Sequence, residues 1–251
     1  MKQDVRFRKL LPFAVLLACL VLTAYVWQLS SKWIKVNAEE RFTKRVDEIT
    51  ADVVERIYDY RTILRSSAAL LAARVEVNRE QWRIFVEDLR IGERYPGIQG
   101  FGFAKIIRHS ELQAHIAKVR AEGFPGYTVY PEGERQEYIP VIYLEPFDKR
   151  NRRAFGYGMF SEPVRRAALE HARDTGLASI TGNVKLVVET DANIQQGVSY
   201  VYRCFYKKGM PLTTVQERRA ALLGFVYNSF RMNDLMQGIF KGDLRDVELA
   251  I

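Results

Sequence analysis

From Leu10 to Ser31 the chain carries no charged residue, reading LLPFAVLLACLVLTAYVWQLSS. As a helix rising about 1.5 Å per residue, these 22 residues reach about 33 Å. That spans a hydrocarbon core about 30 Å thick. Lys2, Arg6, Arg8 and Lys9 precede the run; Lys32 and Lys35 follow it. The heavier positive charge on the N-terminal side puts residues 1–9 in the cytoplasm, 10–31 across the membrane and the rest outside. Tyr25, Trp27 and Trp33 stand at the outer end, where amphipathic rings suit the interface. A cleaved signal peptide would have a shorter apolar core, about 7–15 residues, and a small-x-small cleavage site. No Ala-x-Ala stands at the far end, so the run is read as an uncleaved anchor.

Residues 32–72 read as a stalk helix. Asn37 to Ala73 contains neither Pro nor Gly. Phe42, Val46, Ile49, Val53, Tyr60, Ile63 and Leu70 recur at heptad spacings, with Arg56 and Ser67 interrupting the seam. Such a seam suits either a plain amphipathic core helix or a stalk pairing with a second copy. Ile57 and Leu64 add another apolar face near the far end, where the helix is expected to pack on the folded region.

Residues 73–251 alternate helix and strand signals. Asn78 followed by Gln81 is a capping-box start, Trp82, Phe85, Val86 and Leu89 form the apolar face of that helix, and Gly92 is expected to end it. Gly97 to Ile107 reads as a strand, and Ser110 to Gly123 as a helix. Tyr127–Tyr130 and Tyr138–Leu144 read as strands around Pro131-Glu132-Gly133. Ser161-Glu162-Pro163 signals a helix start with Ser161 as cap, running to Asp174 before Gly176. Strands follow at 179–188, 198–206 and 221–230, then a short helix near 233–240. Val247 to Ile251 reads either as a terminal strand or as the place where a longer reading frame is cut. Strands joined by short turns favour antiparallel pairing, so the fold class is α+β, with helices laid on antiparallel sheet.

Little in these residues suggests catalysis. No HExxH, GxSxG or P-loop occurs, and His109 and His115 are six apart rather than three or four. Gly97, Gly100 and Gly102 lack the strand–turn–helix setting of a dinucleotide site. Glu145 and Asp148, with the basic run from Lys149 to Arg153, read as a solvated, ion-paired loop. Cys19 and Cys204 are not expected to bridge, and Cys204 reads as a small buried apolar residue. No metal site and no cofactor are expected. The formal charge of +8 fits a membrane surface or nucleic acid; an extracytoplasmic position argues against nucleic acid.

From Tyr138 the residues become distinctive: YIPVIYLEPFDKRNRRAFGYGMFSEPVRRAALEHARDTG, then SITGNVKLVVE, then ERRAALLGFVYNSFRMNDLMQGI. This order and spacing resemble the CHASE domain, the extracytoplasmic sensor module of histidine kinases and nucleotide cyclases, plant cytokinin receptors included. The resemblance covers about Ala73 to the end. It implies a stalk helix carrying PAS-like α/β subdomains, a small-molecule pocket in the membrane-distal one, and homodimerisation. It also implies a second membrane helix leading to a cytoplasmic output module, and a periplasmic sensor anchored in a bacterial inner membrane. Any kinase or cyclase activity would lie in that further module. Carried over by position, the candidate ligand-binding residues are Tyr143, Tyr157, Gly158, Thr181, Val187 and Tyr202. Gly158 stands where the family commonly has an Asp able to accept hydrogen bonds, which speaks against an adenine-type ligand. Cys204-Phe205-Tyr206 likewise replaces the family's Pro-Val-Tyr. The alternative function is an extracytoplasmic protein-interaction or dimerisation module without a small-molecule ligand.

Overall fold

The computed structural model describes residues 2–73, 77–95, 97–182, 184 and 198–240. They fall into two units, 1–52 and 53–251. Helix α1 is continuous from Lys2 to Ala73. Among the described residues it is the helix long and apolar enough to cross a membrane, and its apolar side chains from Val15 to Trp33 are exposed.

The second unit is organised by a five-stranded sheet of order β4-β1-β7-β6-β5, antiparallel throughout. Its strands are β1 (Ile98–Lys105), β4 (Val141–Glu145), β5 (Ser179–Ile180), β6 (Val198–Tyr206) and β7 (Leu222–Arg231). β2 (Ile107–Arg108) and β3 (Glu137–Tyr138) form a separate two-stranded ribbon.

Because side chains alternate across a strand, each strand feeds two layers. Phe101, Phe103, Val226 and Phe230 face one way and pack with Tyr60, Ile63, Leu64 and Leu71 of α1. Helix α2 (Arg79–Asp88) adds Trp82 and Val86 to this layer, and α7 (Met232–Phe240) adds Leu235. Thus Tyr60 and Ile63, two members of the heptad seam, are committed to the sheet, whereas Phe42 and Val46 of the same seam are exposed. Tyr200, Tyr202, Phe225 and Tyr227 face the other way, against Ala168, Leu169 and Ala172 of α5 (Pro163–Thr175). A third, smaller cluster packs Ile116 and Val119 of α4 (Leu112–Ala121) on Ile107 and Tyr138 of the ribbon.

Local chemistry explains the boundaries. Asn78 and Gln81 close a full capping box at α2. That helix ends at Asp88, not at Gly92: Arg90 takes a left-handed φ of 49°, and Gly92 lies inside a one-turn helix, α3 (Ile91–Arg94). At α5 the cap is Glu162 rather than Ser161, its carboxylate accepting from the N–H groups of Val164 and Arg165. Ser161 Oγ instead donates to the Gly158 carbonyl. Gly176, at φ 73°, closes the helix in the left-handed region that favours glycine.

Tyr127–Tyr130 is not a strand of either sheet. Tyr127 and Val129 turn inward against the α4 cluster, and Tyr130 makes a single bridge to Tyr157. The stretch expected as strand from 138 to 144 is split at Ile139 and Pro140 into β3 and β4. Of the strand expected at 179–188, Ser179–Ile180 is observed and 185–188 lie outside the described residues, as do 247–251. Helix α6 (Val215–Ala221) was not expected, although Thr214 and Glu217 form a full capping box in front of it. The loop after β4 is less solvated than its charges suggest. Asn151 is buried, with Nδ2 donating to the carbonyls of Gln99 and Pro146, and Arg150 donates to Gln99 Oε1.

Gly102 of β1 allows the sheet to carry Tyr227 flat across it. A Cβ there would lie 2.6 Å from the Tyr227 ring and 2.7 Å from the Tyr143 carbonyl, and Tyr227 is fully buried. Gly102→Ala is therefore expected to destabilise the domain by about 1–3 kcal/mol through overpacking. Chemical unfolding of the full chain in detergent measures this, and an unchanged midpoint would contradict the packing described.

Candidate functional site

Arg165 is the third residue of α5, and the helix start directs it toward the sheet. Its side chain is 2% exposed. The guanidinium lies 5.0 Å from the Tyr200 ring centre and 5.3 Å from that of Tyr157. Nη1 donates to Tyr157 Oη at 3.2 Å and Nη2 to Tyr200 Oη at 3.5 Å. Glu162 Oε2, already engaged as the helix cap, is 3.8 Å from Nη1. Burial opposes the cation, but the oxygen-bearing groups of Tyr200, Tyr202 and Tyr157 outweigh it and hold the guanidinium above its usual range.

Tyr200 and Tyr202 lie on one face of β6, their rings parallel within 5° and 5.7 Å apart. Tyr202 Oη donates to Met159 Sδ at 3.4 Å. Tyr227 pairs with Tyr202 across the β6–β7 ladder and its ring packs 6.1 Å away. Burial raises the phenols of Tyr200, Tyr202 and Tyr227, so all three are neutral at ordinary pH. The α5 side of the sheet thus offers one cation, neutral hydroxyls and flat apolar rings. Among the described residues no cluster of His, Cys, Asp or Glu is arranged for a metal. Burial raises the Cys204 thiol to about 11, which keeps it unreactive.

The six candidate residues do not share one place. Tyr157 holds the Arg165 guanidinium directly, and Tyr202 stacks on Tyr200, the other tyrosine that does so. Thr181 adjoins them, its Oγ1 accepting from the Tyr200 N–H and its own N–H donating to the Tyr200 carbonyl. Gly158 is buried next to Tyr157 in extended backbone, not in a sheet strand. Its N–H donates to the Tyr130 carbonyl, and an added Cβ would meet that oxygen at 3.4 Å, an ordinary contact. Tyr143 belongs elsewhere: it faces the opposite layer beside Trp82 and Phe103, and its hydroxyl donates to the Val77 carbonyl. The reason is register, since Tyr143 pairs with Phe103 and shares its side of the sheet. Val187 lies outside the described residues. Arg165, Tyr200 and Tyr227 were missed. A period-2 reading of Tyr200, Tyr202 and Cys204 would have exposed the tyrosine face, whereas nothing in a run of paired arginines marks Arg165 as the buried one.

Replacing a whole buried ion pair by apolar residues is often neutral or stabilising, whereas removing one partner is destabilising by about 3–5 kcal/mol. Arg165→Met takes the cation from Glu162, Tyr157 and Tyr200 and is expected to lower the unfolding midpoint of the full chain. An unchanged midpoint would mean that these contacts add nothing to the fold.

A family model described as the CHASE domain matches residues 75–251. The chain is also similar to the hybrid signal transduction histidine kinase A of Dictyostelium discoideum, with 30% identity over 98 residues. That match covers 38% of this chain and 4% of the kinase, so the chain corresponds to a small part of that protein's length.

Proposed function

The chain belongs to the CHASE domain family, and on that premise we propose that it binds a small molecule at the α5 side of its sheet and relays the event through α1. A sensor module of signalling receptors is what the family match to residues 75–251 and the kinase relative support. The ligand face is our reading. The observation that favours it is that Tyr157 and Tyr200 hold the buried Arg165, with Thr181 hydrogen-bonded to Tyr200 and Tyr202 stacked on it. Where a carboxylate would accept from a ligand, Gly158 contributes nothing, and Arg165 with the tyrosine hydroxyls supplies donors instead. The ligand is accordingly one that presents acceptors, a carbonyl or carboxylate compound, rather than an adenine-type base.

The domain is taken to sit outside the cytoplasm, in the periplasm of a cell whose inner membrane holds residues 10–31. Binding would shift the balance between two arrangements of a homodimer, which requires a ligand with different affinity for the two. Phe42 and Val46, 65% and 38% exposed on α1, are the surface such a dimer would cover. A kinase or cyclase output would belong to a longer protein containing this sensor.

Thermal unfolding of the full chain in nanodiscs with a metabolite panel tests this reading. Compounds bearing acceptors should raise the midpoint saturably, and Tyr202→Phe should diminish the shift. Gly158→Asp should instead confer a response to adenine derivatives, because the new carboxylate restores the acceptor. A flat response across the panel, with a shift on adding a protein partner, would favour an interaction module. An adenine response unchanged by Gly158→Asp would sink the placement of residue 158.

A further inference from the structure

On the sheet face opposite Arg165 there is a cavity of about 130 Å3. That is close to the size of an engineered apolar cavity that takes up benzene, and far above what one water needs. Phe103, Ile142, Val119 and Phe205 supply apolar wall, and Leu71 brings in the last turn of α1. Against this wall stand three cations: Arg79, the first residue of α2, and the exposed Lys105 and Lys118. Glu122 is the one acid in the lining. His115 also lines it, uncharged at ordinary pH, because burial and then the two lysines push its imidazole down to about 4. Its Nε2 is 2.9 Å from Tyr127 Oη.

Arg79 is the most constrained of these groups. Aromatic rings of Phe124, Phe155 and Tyr143 lie 4.4, 4.8 and 5.2 Å from its guanidinium carbon, fixing its plane. Nη1 donates to the Ile142 carbonyl at 2.8 Å. Nε and Nη2 are buried and have no hydrogen-bond partner among the described residues. Nη2 has the Glu122 carboxylate no nearer than 3.7 Å, and that acid is 37% exposed. Enclosed by its rings, the guanidinium gives the cavity its positive charge rather than open donors.

We propose that this cavity is a binding site for a small monocarboxylate with an apolar body no larger than about a benzene ring. The carboxylate would lie in the field of Arg79, Lys105 and Lys118, while the body packs on Phe103 and Ile142. The site is distinct from the α5 face, since the sheet separates the two.

Isothermal titration and saturation-transfer NMR of the full chain in nanodiscs, with empty nanodiscs as blank, test this using benzoate as probe and benzamide as its neutral counterpart. Benzoate is expected to bind saturably and benzamide much more weakly. Lys105→Gln leaves the clamp intact and should weaken benzoate by about two- to fivefold, the size of a solvent-exposed charge contact. Tyr202→Phe, on the other face, should leave benzoate binding unchanged. Equal binding of both probes would reduce the cavity to an apolar void and overturn the proposal. So would no binding at millimolar benzoate, or loss of binding in Tyr202→Phe but not in Lys105→Gln. A negative result here leaves the α5 face untouched, because that reading is judged by the metabolite response and its loss in Tyr202→Phe.

Discussion

The two main layers described in the 53–251 unit rest on the pairing of β1 with β7. The register sets Phe101 opposite Asn228, Gly102 opposite Tyr227 and Phe103 opposite Val226. With a side-chain period of two, this decides at once which residues meet α1 and α2 and which meet α5. A slip of β1 by one residue would turn Phe101 and Phe103 toward α5 and away from Val226 and Phe230. Gly102 is the steric counterpart of that register, since the Tyr227 ring occupies the space its side chain would need.

The two layers differ in chemistry because their helices differ. The α1 and α2 side is filled by rings and aliphatic groups, with Trp82 stacked on Phe101. It also holds Asn228, fully buried, with neither amide atom hydrogen-bonded among the described residues, and the Trp82 indole N–H is likewise without an acceptor there. The α5 side accepts a cation because Arg165 lies close to the Glu162 carboxylate and to tyrosine hydroxyls. Burying a guanidinium there costs desolvation that neutral oxygens and ring faces offset. The aromatic clamp on Arg79 solves the same problem at the rim of the other layer. Both cations lie within the first turn of their helices, where the helix dipole disfavours positive charge. That placement fits groups retained for something other than local stability.

Much of the architecture was legible from the residues. The apolar span, the uninterrupted stalk, the Asn78 cap, the Pro163 start and the Gly176 stop each depend on interactions within a few positions of the chain. The bounds of β6 and, nearly, of β7 followed from their β-branched and aromatic runs. Reading failed where a segment's state is set by a distant partner. Tyr127–Tyr130 has a strand's alternation but packs on α4 instead of pairing. Ser161 is a good cap by type, yet its hydroxyl is taken by the Gly158 carbonyl. Helix α6 was missed although its capping box is local, so the signal was present and unread.

By itself, then, the sequence determined the membrane-length helix, its continuation to Ala73, the α+β class and the family, because charge-free length, helix period, caps and motif order are properties of neighbouring residues. Only the tertiary structure decided that Tyr60 and Ile63 serve the sheet rather than a partner's seam, and that Tyr143 lies across the sheet from Tyr157 and Tyr202. The choice of Arg165, among many arginines, for burial was decided in the same way, as was the gathering of Arg79, Lys105 and Lys118 around one cavity. These outcomes follow from strand register and helix placement, which join residues far apart in the chain and which no local spacing encodes.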